Sequence, residues 1–127
     1  MATVSLDIVN QFASHEALDS AVSNSAAEVP GDTNYVFQVR IDNSANTSTV
    51  YLRFWDASST PTSGSTVPDF IFPCAGESVA EFSFFPGLYT ANTLYMAVST
   101  TAGTSGNAAP SSSVIVRILS SNTDNEL

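Results

Sequence analysis

The 127-residue chain contains no lysine, three arginines (Arg40, Arg53 and Arg117), one histidine and one cysteine. Each scarcity excludes something. Counterion release, which drives binding to a phosphate backbone, has almost nothing to act through here, so nucleic acid is not an expected partner. The same deficit argues against an anionic membrane surface. No apolar run approaches the ~20 residues that span a bilayer, so a soluble protein without a membrane partner is expected. A lone Cys74 cannot close an internal disulfide, which leaves the redox compartment open. Residues 1–11, MATVSLDIVNQ, lack the basic start and unbroken apolar stretch of an export signal.

What is present is acidic and strand-forming. Twelve Asp and Glu set the formal charge at −9, 43% of the chain is hydrophobic, and about a quarter is Ser or Thr. A chain of this length buries enough surface for one domain with a core of its own, and a second full domain is not expected. Hydrophobic alternation of period two recurs along most of it. Val4, Leu6 and Ile8 give a first strand; His15 to Glu28 is Ala-rich and is allowed one or two helical turns. Tyr35, Phe37, Val39 and Ile41 form a strand after Pro30-Gly31, and Val50, Leu52 and Phe54 form another, the two reading as a hairpin across residues 42–48. Phe70-Ile71-Phe72 and Val79 to Phe85 read as a second hairpin, broken by Pro86-Gly87, with further strands at Leu94 to Val98 and Val114 to Leu119. Pro68 and Pro73 should mark strand ends or edges. The expected fold is all-β, an antiparallel two-sheet sandwich or jelly-roll-like barrel of about seven strands with a partly extended N-terminal segment. Residues 1–33 read as a strand and arm, 34–120 as the body, and 121–127 as a polar tail.

Reactive constellations are missing. Nucleophilic catalysis needs a nucleophile, a base and an orienting group, and His15 is remote in sequence from Cys74. His15 reads as surface, and Cys74, in a Pro-Cys-Ala-Gly turn, as an inert, at least half-buried thiol. Glu77 and Glu81 lie about 13 Å apart if extended, beyond the roughly 5–9.5 Å over which paired carboxylates hydrolyse glycosides. No His/Cys cluster, calcium loop or phosphate-cradling loop occurs, so neither a metal nor a cofactor is expected, and the chain does not read as an enzyme. Tyr51 and Trp55 share the strand face opposite Phe54. Turned outward they make a protein interface or a sugar-stacking platform; covered, they close the edge of the core, the more economical reading.

From Tyr51 to Leu119 the chain resembles small all-β virion proteins of tailed bacteriophages. The likeness lies in Val50-Tyr51-Leu52-Arg53-Phe54-Trp55-Asp56 with the Ser/Thr/Pro loop after it, Pro73-Cys74-Ala75-Gly76-Glu77-Ser78, Phe85-Pro86-Gly87-Leu88-Tyr89, and the Leu94 to Thr100 strand. It implies a capsid decoration, or cement, protein on the outer surface of the virion, assembled as a trimer against the major capsid protein. On that reading contacts are expected at Phe12, Val22 and Val29 in the N-terminal segment, at Tyr51 and Trp55, and at Leu127 in the tail. The alternative is a carbohydrate- or receptor-binding module of a tail or head fibre, stacking sugars on Trp55 and Tyr51. An acidic body disfavours a place against packaged DNA under either reading.

Overall fold

Alternating side chains let a strand bury one face, and this chain satisfies the pattern by stacking two sheets. The computed structural model of the protein describes residues 15–31 and 33–122. Among them are eight strands and no helix: β1 (His15–Asp19), β2 (Ala27–Glu28), β3 (Tyr35–Asp42), β4 (Val50–Ala57), β5 (Phe70–Cys74), β6 (Val79–Tyr89), β7 (Thr93–Ser99) and β8 (Ile115–Ser121). They form two antiparallel four-stranded sheets, A in the order β1-β8-β3-β6 and B in the order β2-β7-β4-β5. Two packed antiparallel sheets of eight strands, with most successive strands changing sheet, are the architecture of a jelly roll.

The all-β sandwich expectation therefore holds, with eight strands instead of about seven. Val4 to Ile8 lies outside the described residues. The segment allowed a helical turn is extended instead: His15–Asp19 pairs with β8 and Ala27–Glu28 with β7. Backbone pairing at an edge of each sheet outweighs the weak helical spacing of its alanines. Residues 15–31, read as part of an arm, are thus built into the body.

Neither expected hairpin forms. β3 belongs to sheet A and β4 to sheet B, and β5 and β6 are divided in the same way. The polar segments between them are corners that carry the chain across the core. Asn43, fully buried, makes the first corner: its Nδ2 donates to the carbonyls of Ser48, Cys74 and Ala75 at 2.9–3.1 Å, and its Oδ1 accepts from Asn46 Nδ2. Asn46 Oδ1 accepts in turn from Ser112 N at 2.8 Å. One buried network therefore joins three turns, with every amide group satisfied.

The core lies between the sheets. Val36, Val39 and Ile41 of β3 and Val116 and Ile118 of β8 face Val50, Leu52 and Phe54 of β4, Phe72 of β5 and Leu94, Met96 and Val98 of β7. Phe72 packs edge-on against Phe54 with ring centroids 5.1 Å apart. Pro73 sits in β5, an edge strand, where its missing N–H breaks no ladder. Pro86 does not end β6: residues 84–87 bulge opposite Phe37 and the strand resumes at Leu88.

Candidate interaction surface

The outer faces of the two sheets differ. On sheet B, the outward side chains of β4 are Tyr51, Arg53 and Trp55, and the last two are fully enclosed. The loops 58–69 and 100–114 lie over them. Trp55 Nε1 donates to Thr66 O at 3.0 Å, Arg53 Nη1 to Gly106 O and Ser63 Oγ at 3.0 Å, and Arg53 Nη2 to Thr101 O at 2.9 Å. Burial pushes the Arg53 guanidinium below its ordinary pKa, and no carboxylate pairs with it among the described residues. Its Nη donors go to loop carbonyls and the Ser63 hydroxyl instead, while its Nε has no partner among the described residues, so this arginine fastens two glycine- and serine-rich loops to the sheet. Asn24 and Asn107 exchange amide-to-carbonyl bonds at 2.8 Å and close the far side of the same cover.

Trp55, at 1% exposure, consequently offers no face for stacking a sugar, and the covered reading of the strand is the one realised. Tyr51 is half-buried beside it. Val22 and Val29, expected at a contact surface, belong to the core: their N–H groups donate to Val114 O and Leu94 O and their side chains are enclosed. Phe12 and Leu127 lie outside the described residues. The four expected contact residues that are described, Val22, Val29, Tyr51 and Trp55, thus share no exposed surface.

Among the described residues no loop lies over the outside of sheet A. Across one rung lie Leu18, Arg117, Arg40 and Glu81, and across the next Glu16, Leu119, Gln38 and Ser83. Leu18 is 64% exposed, and Ile115, Leu119 and Phe37 are each partly open. At one end of this face Tyr35 and Tyr89 pack with centroids 5.2 Å apart, next to the bulge that holds Phe85 out at 73% exposure. Two of the three arginines of a strongly acidic chain stand directly opposite each other at its centre. Arg40 Nε lies 3.5 Å from Glu81 and Arg117 Nε 3.9 Å from Glu16, while Arg117 Nη2 donates to Gln38 Oε1 at 2.8 Å. The buried Nε of Arg117 has no hydrogen-bond partner. Sequence reasoning missed this pair. Its signal was the outward phase of both arginines on their strands, but the register that makes them neighbours joins segments 77 residues apart (117 − 40).

Reactive groups stay apart. Cys74 is buried, its Sγ 3.6 Å from the carbonyls of Ile41 and Ser78, and burial pushes its thiol pKa up. His15 opens β1 half-buried. Glu77 sits in a turn at φ 56° and Glu81 pairs with Arg40. Among the described residues no group of three His, Cys, Asp or Glu is placed to hold a metal ion, and no helix is long and apolar enough to cross a membrane. No family model, no curated protein and no solved structure matches the chain.

Proposed function

We propose that this chain is a non-enzymatic structural protein of a bacteriophage particle, a decoration protein that stabilises the outer face of the head by bridging capsid subunits. The observation that carries the reading is the open face of sheet A, a surface of mixed apolar and charged side chains, set against a sheet B whose central strand is covered by loops. Contact area, not a reactive pocket, is what a cementing protein must supply. The resemblance from Tyr51 to Leu119 supplies the virion, and the jelly-roll architecture, which recurs in viral capsid domains and also in lectins, is compatible with it. The partner on this reading is the major capsid protein, met by a homo-trimer.

The test is immunogold labelling of purified particles with antibody against this chain. Dense label over heads is expected. Label confined to tails, or absent from every particle, overturns the reading.

A further inference from the structure

An edge strand offers unpaired N–H and C=O groups to any other strand that can lie beside it. Among the described residues the edges are β1 and β6 of sheet A and β2 and β5 of sheet B. Three of them are guarded. β2 is two residues long, β5 carries Pro73 among its five residues, and β1, also of five, bears Glu16 and Asp19. β6 runs for 11 residues, and from Val79 to Phe85 it holds no proline and a single charge, Glu81, which Arg40 partly neutralises from 3.5 Å. Asn43 N donates to Ser78 O at 2.9 Å. Alternation from that bond turns the N–H and C=O of Ala80 and Phe82 toward β3 and those of Val79, Glu81 and Ser83 away from it. None of these outward groups has a partner among the described residues. The side chains are uncovered too: Val79 is 45% and Phe85 73% exposed, while Phe82 and Phe84 reach only partly into the core beside Phe72.

We propose that the β6 edge is a self-association surface, on which a second copy of this chain pairs its own β6 antiparallel across a two-fold axis at Phe82. The edge is self-complementary in this register, as an isologous contact requires. Glu81 falls opposite Ser83 of the second copy and Val79 opposite Phe85, while on the inner face Phe82 meets Phe82 and Ala80 meets Phe84. The neighbouring registers are worse. An axis at Glu81 sets like charges directly opposite, and one at Ser83 sets Glu81 against Phe85 and Val79 against Gly87. With the axis at Phe82, the outward groups of Glu81 and Ser83 exchange about four backbone hydrogen bonds between the copies. The half-open Phe82 ring gains an aromatic partner at the close, non-bonded position. The bulge at residues 84–87 ends the regular edge and so limits the pairing to this stretch. Two four-stranded A sheets thereby join into one continuous sheet. The contact is two-fold and needs no capsid, so it is distinct from the three-fold assembly of the proposed function, which would use other surfaces.

Sedimentation equilibrium of the full chain tests it, together with amide exchange followed residue by residue. The wild type should approach double the monomer mass as its concentration rises, and the amides of Glu81 and Ser83 should become protected over the same range. Ser83→Pro removes an outward N–H and no bond of the β3–β6 ladder, and should weaken dimerisation about tenfold or more. Val79→Lys faces Asp42 within its own sheet but sets an ammonium against Phe85 of the second copy, and should also weaken the dimer. This second variant keeps the test decisive if the proline disturbs the strand. A wild type that stays monomeric, a trimer, or a dimer as tight in Val79→Lys as in the wild type overturns the proposal. Protected Glu81 and Ser83 amides in a monomer would show another segment of the chain on this edge, and overturn it equally. With no particle in the measurement, these outcomes are independent of the labelling that decides the virion reading.

Discussion

The outer faces of β4 and β3 begin from similar sequence and end in opposite states. Tyr51, Arg53 and Trp55 alternate outward on β4 as Gln38, Arg40 and Asp42 do on β3, each set with an arginine at its middle. Arg53 is enclosed and Arg40 is not. The cause is not local. Sheet B receives the loops 58–69 and 100–114, whose carbonyls take the Trp55 and Arg53 donors, and nothing among the described residues crosses sheet A. An arginine under a lid becomes a structural fastener, and one on an open face stays partly solvated beside a neighbouring carboxylate.

The sharpest way to break the contrast is Trp55→Ala. If the covered face is a true extension of the core, removing the indole should cost about 3–5 kcal/mol of folding stability, read by urea denaturation. A loss below about 1 kcal/mol would mean that the loops rest on the sheet without packing, and the two faces would differ only in appearance. Arg53→Met follows. It keeps much of the side-chain volume but deprives Thr101 O and Gly106 O of charge-assisted donors, at a cost of about 2–3 kcal/mol. Amide exchange should rise in the loop around Gly106, and unchanged protection there would show that the fastening lies elsewhere.

These substitutions also mark where the sequence stopped being informative. Alternation identified the main strands because it records burial on one face, a property each segment carries within itself. Partner choice is not carried in that way. The segments from Tyr35 and Val50 look like a hairpin because they are close in sequence and similar in pattern, but their inner faces meet across the core instead of pairing edge to edge. The fate of Trp55 was equally hidden, since its acceptor is the carbonyl of Thr66 in a loop with no hydrophobic period of its own. One sign was available: an aromatic and an arginine side by side on an outward phase, next to a long loop rich in Ser, Thr and Pro. The Arg40–Arg117 pair had no such sign, because it exists only through the β3–β8 register.

On the open face the same kind of substitution should do little to the isolated fold. Arg40→Gln loses a partly solvated ion pair with Glu81 and also relieves the opposition to Arg117, two small terms of opposite sign. The net change should stay within about 0.5 kcal/mol in urea denaturation. A destabilisation as large as that of Arg53→Met would show that the bare face is structural after all, and would remove the distinction between the sheets.

The smallest effect should come from Asp42, at the end of the same face. Ser44 donates both its hydroxyl, at 2.6 Å, and its N–H, at 3.0 Å, to Asp42 Oδ1, and these bonds, with a lesser contribution from Arg40, hold the carboxyl below its ordinary pKa. A carboxyl whose pKa is lower folded than unfolded stabilises the fold fully above the unfolded value, and the contribution drains away as pH falls through the folded one. Asp42→Asn removes that dependence. Its stability at neutral pH should drop slightly, and its acid limb should be shallower than that of the wild type in denaturation curves run from pH 7 down to about pH 2. Parallel acid limbs would mean that the Ser44 bonds hold the carboxylate no better than water does, which is what full solvation of this rim of the sheet would produce.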